Sequence, residues 1–219
     1  PMVFSTLVAS EAEGKDRQAG LTMVGFEEFN AYDGTNEGDG VSKTFAGLRL
    51  LAEGQGEAFV SAGSTGALVV GASHIVKRIK GIKRAALAPI LPVGSNGVLL
   101  IDSGANVQCT AEYLLQFAYL GSFYAQRVCG VERPKVGLLN IGAEEEKGDE
   151  LRHETFALLR QAADQGRIHF IGNVEANDAI MGAADVIVAD GFTGNVMLKT
   201  MEGVGKFLLK SLKARGLAE

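Results

Sequence analysis

"VLLIDSGANVQCTAEYLLQFAYLGSFYAQRV", residues 98–128, carries a complete structural step. The apolar run Val98–Ile101 ends at Asp102, Ser103, Gly104 and Asn106, all turn-forming residue types. A long apolar-rich stretch with helical character follows. A strand that ends in a turn and hands over to a helix is the unit of an α/β sheet. The step recurs in "KVGLLNIGAEEEKGDELRHETFALLRQAA" (135–163), "IHFIGNVEANDAIMG" (168–182) and "DVIVADGFTGNVMLKTMEGVGKFLLKSLK" (185–213). "EAFVSAGSTGALVVGASHIVKRI" (57–79) reads as an earlier instance. Such alternation implies right-handed βαβ crossovers, hence a mostly parallel sheet with helices on both faces. "AALAPILPVGSNGVLLID" (85–102) is the exception. Two apolar runs flank the turn-rich "PVGSNG", which predicts a hairpin and makes the α/β sheet mixed.

Composition agrees with a globular α/β chain. Of 219 residues, 47% are hydrophobic and 21% charged, and 29 glycines sit in motifs rather than low-complexity runs. The net charge of -5 argues against a general nucleic-acid binder. Cys109 and Cys129 form no CxxC or zinc spacing, which fits a reducing cytoplasm. No signal peptide or membrane span is expected.

The stretch Thr110–Val128 is apolar almost all round, with Leu114, Leu115, Phe117, Leu120, Phe123 and Tyr124. It reads as central or, preferably, as a subunit interface. Earlier in the chain, "TLVAS" and "LTMVGF" have strand character, and "AYDGTNEGDGVSK" (31–43) reads as a loop.

Ligands of open α/β sheets bind beyond the carboxyl ends of the strands. That rule gathers Gly63, Ser64, Thr65 and Gly66; Asp102 and Asn106; Asn140 and Lys147; Asn173; and Asp190, Thr193, Gly194 and Asn195. "SAGSTGALVV" (61–70) reads either as an anion cradle or as a tight turn with a helix cap. Neither GxxxxGK[ST] nor GxGxxG occurs, so no nucleotide fingerprint and no cofactor are expected. Asp102 and Asp190 lack a third ligand at convincing spacing, so no metal is expected; their plain role is to cap loops. Lys147 is the main cation of the set, either a ligand contact or a partner of Glu144 or Glu150. The histidines and cysteines form no nucleophile–base set.

A second feature is "KRIKGIKRA", with Lys77, Arg78, Lys80, Lys83 and Arg84. It reads as a dock for an acidic partner or anionic membrane, the alternative being cations at a helix end. In "KFLLKSLKARG", the lysines beside Phe207, Leu208 and Leu212 read chiefly as an amphipathic helix packed on the sheet, with membrane contact as the rival.

"FVSAGSTGAL", "LLIDSGANVQC", "LLQFAYLGSFYAQRV", "RPKVGLLNIGAEEEKG", "FIGNVEANDA" and "ADGFTGNVMLKTMEGV" resemble, in order, the PlsX family of phosphate acyltransferases. The resemblance runs from about Leu50 to Lys213. It implies transfer of a fatty acyl group from acyl carrier protein to inorganic phosphate in phospholipid synthesis. It also implies a fold like that of isocitrate and isopropylmalate dehydrogenases, a cytoplasmic homodimer, and peripheral contact with the inner face of the bacterial membrane. Lys147 and Asn195, in segments resembling the family's site, become the expected catalytic pair. The other strand-end residues become phosphate or substrate contacts, and the basic cluster a dock for carrier protein. Residues 1–49 match poorly and lack the family's DAMGGD-type opening, and the chain stops at "KARGLAE". It therefore divides into an unmatched segment 1–49 and a catalytic region 50–219, and reads as a fragment. A short-chain or coenzyme A-dependent phosphate acyltransferase, or a non-catalytic scaffold docking carrier protein or membrane, are the alternatives.

Overall fold

A computed structural model describes residues 39–61, 64–93 and 97–217. "TLVAS", "LTMVGF", Gly63 and the centre of "PVGSNG" fall outside them. The chain forms two compact units that divide after Ala85.

In the first unit, α1 (Asp39–Ala52) and α2 (Thr65–Gly71) pack together, and α2 continues into a π-helical turn at Ala72–Val76. α1 turns Thr44, Leu48 and Leu51 inward. A Cβ on Gly71 would lie 2.5 Å from the Leu48 side chain, so a larger residue there would push Leu48 aside. The end of the expected loop 31–43 therefore belongs to α1: burial of one helix face outweighs the poor helix propensity of Gly40. The expected strand before the GSTG loop is corrected as well. Residues 58–61 form no strand, because the described remainder of this unit is helical or irregular and offers no ladder to join. Residues 49 and 50 lie within α1.

The second unit holds the sheet. Its strands are β1 (Ile90–Leu91), β2 (Val98–Ile101), β3 (Lys135–Leu139), β4 (His169–Val174) and β5 (Val186–Val188), in the order β1-β2-β5-β3-β4. β1 pairs antiparallel with β2, through Ile90↔Leu99, as the hairpin reading expects. Every other pairing is parallel. The helices are α3 (Ala111–Arg127), α4 (Glu150–Asp164), α5 (Ala176–Ile180) and α6 (Gly191–Ala214).

Strand alternation sorts the core into two layers. Leu99, Val186 and Val136 align across the sheet, as do Ile101, Val188 and Leu138. This face receives Leu114, Phe117 and Ala118 of α3 and Phe156 and Leu159 of α4. The opposite face carries Val98, Leu100, Ile187 and Leu139, covered by Ala179 of α5 and Met197 and Leu198 of α6. Each fully buried side chain of Leu, Ile or Phe size contributes roughly 1.5–3 kcal/mol. α3 sits so close that a Cβ on Gly121 would lie 2.5 Å from Val186. Much of α3's apolarity is therefore spent inside the unit, while Phe123 stays exposed.

α6 departs from its sequence reading. Its first turns are buried, but Val204, Phe207, Leu208, Leu209 and Leu212 are exposed rather than packed on the sheet. Its 24 residues extend about 36 Å, whereas the longest strand, with 6 residues, spans about 20 Å. The helix simply outruns the sheet that could cover it. No helix among the described residues is long and apolar enough to cross a membrane.

Candidate active site

The parallel strands open their carboxyl ends on one edge. β2 and β3 lead into α3 and α4 on one face, whereas β5, between them, leads into α6 on the other. Neighbouring strands whose helices leave to opposite faces open a crevice at their ends. The loops that follow β2, β5 and β3 line it.

Asp102 organises the first loop. Its carboxylate is fully buried and accepts six hydrogen bonds: from the backbone N–H of Leu87, Ser103, Gly104, Ala105 and Asn106, and from the Asn106 amide, at 2.7–3.2 Å. Satisfied on all sides, it holds 102–106 as a rigid arch. That arch lies directly on the start of α6. The Gly191 N–H donates to the Asn106 carbonyl at 2.8 Å, and a Cβ on Gly191 would stand 2.6 Å from the same oxygen. A Cβ on Gly194 would collide with the Asp102 carbonyl. "DSGAN" and "DGFTGN", similar in sequence, thus interlock in space.

Asp190 caps α6. It accepts from the Thr193 N–H at 2.9 Å and the Thr193 hydroxyl at 2.7 Å, and pairs with the Arg152 guanidinium. Burial pushes its pKa up, but the Thr193 bonds and Arg152 outweigh this and hold it below its ordinary value of 3.8. Arg152 also donates to Thr193 Oγ1 at 2.9 Å and to Asp149, the N-cap of α4, at 3.0 Å. Sequence reading took Lys147 as the main cation and missed Arg152. Its signal was the spacing Asp149-x-x-Arg152 at a helix start, where i and i+3 side chains meet.

The loop after β3 is tied down from several sides. The Asn140 amide donates to the Lys147 carbonyl at 2.9 Å and its oxygen accepts from the Ile141 N–H at 2.8 Å. The Asn173 amide donates to the Glu144 carbonyl at 2.7 Å, and His153 bonds the Glu146 carbonyl at 2.9 Å. Lys147 itself is exposed, and forms no ion pair with Glu144 or Glu150. Asn195 is also exposed, on the first turn of α6 beside Gly104; its amide makes no hydrogen bond among the described residues. Burial, chiefly, pushes the Cys109 thiol from 9.0 up to about 11, away from the reactive thiolate form.

In the first unit, Ser64 caps α2 by accepting from the Ala67 N–H at 3.4 Å, and Thr65 and Gly66 are exposed in its first turn. Lys77, Arg78, Lys80, Lys83 and Arg84 are all exposed. They follow the π turn on an irregular segment, with Lys77 at φ 72° and ψ 164°.

The crevice can therefore present donors and one ammonium, while its two central carboxylates face inward to protein partners. The phosphate acyltransferase of Clostridium acetobutylicum is 48% identical over 173 residues, 79% of this chain and 51% of that protein. The phosphate acyltransferase of Bacillus subtilis is 52% identical over 164 residues, 74% and 48% respectively. This chain thus spans about half the length of the curated relatives it matches. Among solved structures, the EutD phosphotransacetylase from Staphylococcus aureus aligns with a TM-score of 0.56 at 17% identity, over 83% of this chain and 70% of its own. A phosphotransacetylase from Streptococcus pyogenes aligns at 0.57 and 19%, over 74% and 55%. At such identities the likeness is one of fold. The family model described as fatty acid synthesis protein matches residues 38–218, and the chain belongs to that family.

Proposed function

We propose that this crevice transfers a fatty acyl group from acyl carrier protein to inorganic phosphate, giving an acyl phosphate. One observation carries the reading: Lys147 and Asn195 stand exposed beside the crevice, their side chains unpaired among the described residues, while Asp102 and Asp190 are consumed by protein donors. Glu144 and Glu146 are exposed on the Lys147 loop, but the transfer asks no general base of them. Phosphate is already an anionic nucleophile at neutral pH. Its oxygen attacks the thioester carbon, the C–O bond forms, the C–S bond breaks, and the thiolate leaves to take a proton from water. The protein's work is to hold phosphate in line and to stabilise the oxyanion. Lys147 neutralises phosphate, and the Asn195 amide donates to the oxyanion. Asp102, Asn106, Asn140, Asn173, Asp190, Thr193 and Gly194 shape the loops that carry them. The names of the relatives and the family model support phosphate acyl transfer in lipid synthesis.

We assign the basic cluster at Lys77–Arg84 to acidic carrier protein, and the overhanging apolar part of α6 to peripheral contact with the inner face of the cytoplasmic membrane. We also expect a homodimer. Lys147→Ala and Asn195→Ala test the catalytic pair, with phosphate-dependent thiol release and melting temperature read on the same samples. Loss of a donor aimed at the transition state predicts a fall of about 10²–10³ in turnover with little change in melting temperature. Near-normal turnover in both variants overturns the assignment. Release from acyl coenzyme A but not from acyl carrier protein favours the coenzyme A-dependent alternative. Carrier binding without release favours a scaffold.

A further inference from the structure

Two helix starts meet at Arg152. It stands on the first turn of α4, which packs on one face of the sheet, and it pairs with the N-cap of α6, which packs on the other. Its guanidinium joins Asp149, Asp190 and Thr193, with only 13% of the side chain exposed. The Arg152 side chain thus reaches over the carboxyl edge of the sheet, between the loop that carries Lys147 and the turn that carries Asn195.

A cation near a helix N-terminus opposes the helix dipole, and here it sits near two. Burying an ion pair where an apolar contact would serve also brings little net stability. Neither term favours Arg152 as a device for stability alone. What a guanidinium that bridges two carboxylates, one from each terminal nitrogen, does supply is a fixed distance and angle between them.

We infer that Arg152 is a latch that sets the separation of the Lys147 loop from the first turn of α6, and so acts as a positioning residue for phosphate acyl transfer. The inference rests on the proposed reaction for its catalytic part. Its mechanical part, the coupling of the two segments, stands apart from it. Phosphate is gripped from the Lys147 loop, whereas the oxyanion forms only during reaction and needs Asn195 in register with that grip. Loss of the latch therefore lowers kcat more than it raises the KM for phosphate.

The test compares the unmutated chain with Arg152→Met and Arg152→Lys. It reads thiol release against phosphate concentration, and amide hydrogen exchange along the chain. Small misplacements cost up to about 10²-fold. Arg152→Met is expected to lower kcat about 10–10²-fold, with the phosphate KM within about threefold. Exchange should quicken together at 142–148 and 192–196 while β3 and β5 stay protected. Arg152→Lys, which keeps the charge but not the fork, should restore part of both. Turnover within twofold of the unmutated chain, or quickened exchange confined to α4, overturns the latch. So does unfolding of both variants, which would mark a plain stabilising role. If the unmutated chain, about half the length of its relatives, releases no thiol, exchange alone decides: coupled quickening upholds the latch, and its absence overturns it.

Discussion

Glycine 194 shows how much a single position depends on its surroundings. Nothing in "DGFTGN" distinguishes it from Gly203 or Gly205 further along the same helix. Yet a Cβ at 194 would strike the Asp102 carbonyl, whereas a Cβ at 203 or 205 would meet nothing within 4 Å. The arch that Gly194 supports cannot retreat, because six hydrogen bonds fix Asp102 beneath it. The same substitution is therefore expected to have opposite signs in one helix. Gly194→Ala should destabilise by about 1–3 kcal/mol, or about 2–12 °C in melting temperature. Gly203→Ala should stabilise by up to about 1 kcal/mol through helix propensity. Thermal melts of the two variants check this, and equal shifts would contradict the packing of the two loops. Asp102 and Asp190 were legible as loop caps from their place before Gly and Asn. Arg152 was not legible as the partner of Asp190, because their contact spans 38 residues.

At the scale of elements, the tie between α4 and α6 has a pH signature. Asp190 is held below its ordinary pKa of 3.8 in the folded chain. A carboxylate depressed on folding stabilises fully above its unfolded pKa, and that contribution drains away as pH falls towards the folded value. The stability gap between the unmutated chain and Asp190→Asn should therefore be constant at pH 5–7 and narrow below about pH 4. Denaturant midpoints at pH 6, 4.5 and 3 measure it. A gap that persists unchanged at pH 3 would mean that Asp190 acts through shape alone. The elements themselves were foreseen unevenly. β2, β3, β4 and β5 were recognisable because short apolar runs end in turn residues. Residues 58–61 carry the same local signal but form no strand, since a strand exists only where a neighbour offers its edge.

For the whole molecule, a net charge of -5 coexists with five exposed cations between Lys77 and Arg84. Such a patch steers acidic partners and loses range as salt rises. Replacing Lys77, Arg78 and Lys80 by Glu should weaken carrier-protein binding and flatten its salt dependence, without altering adhesion to anionic vesicles. Phe207→Asp with Leu208→Asp should do the reverse. Binding titrations and vesicle sedimentation separate the two surfaces, and a charge reversal that leaves carrier binding unchanged refutes the dock. The sequence by itself determined the sheet's class, its antiparallel hairpin and the edge where the loops after β2, β3 and β5 gather, because alternation of strand and turn is a local property written in neighbouring residues. Only the tertiary structure decided that the arch of Asp102 lies on Gly191 and Gly194, that Arg152 joins α4 to α6, and that half of α6 stands beyond the sheet. Those outcomes depend on which strands become neighbours and on how far each helix reaches past them, and no single segment of the chain encodes either.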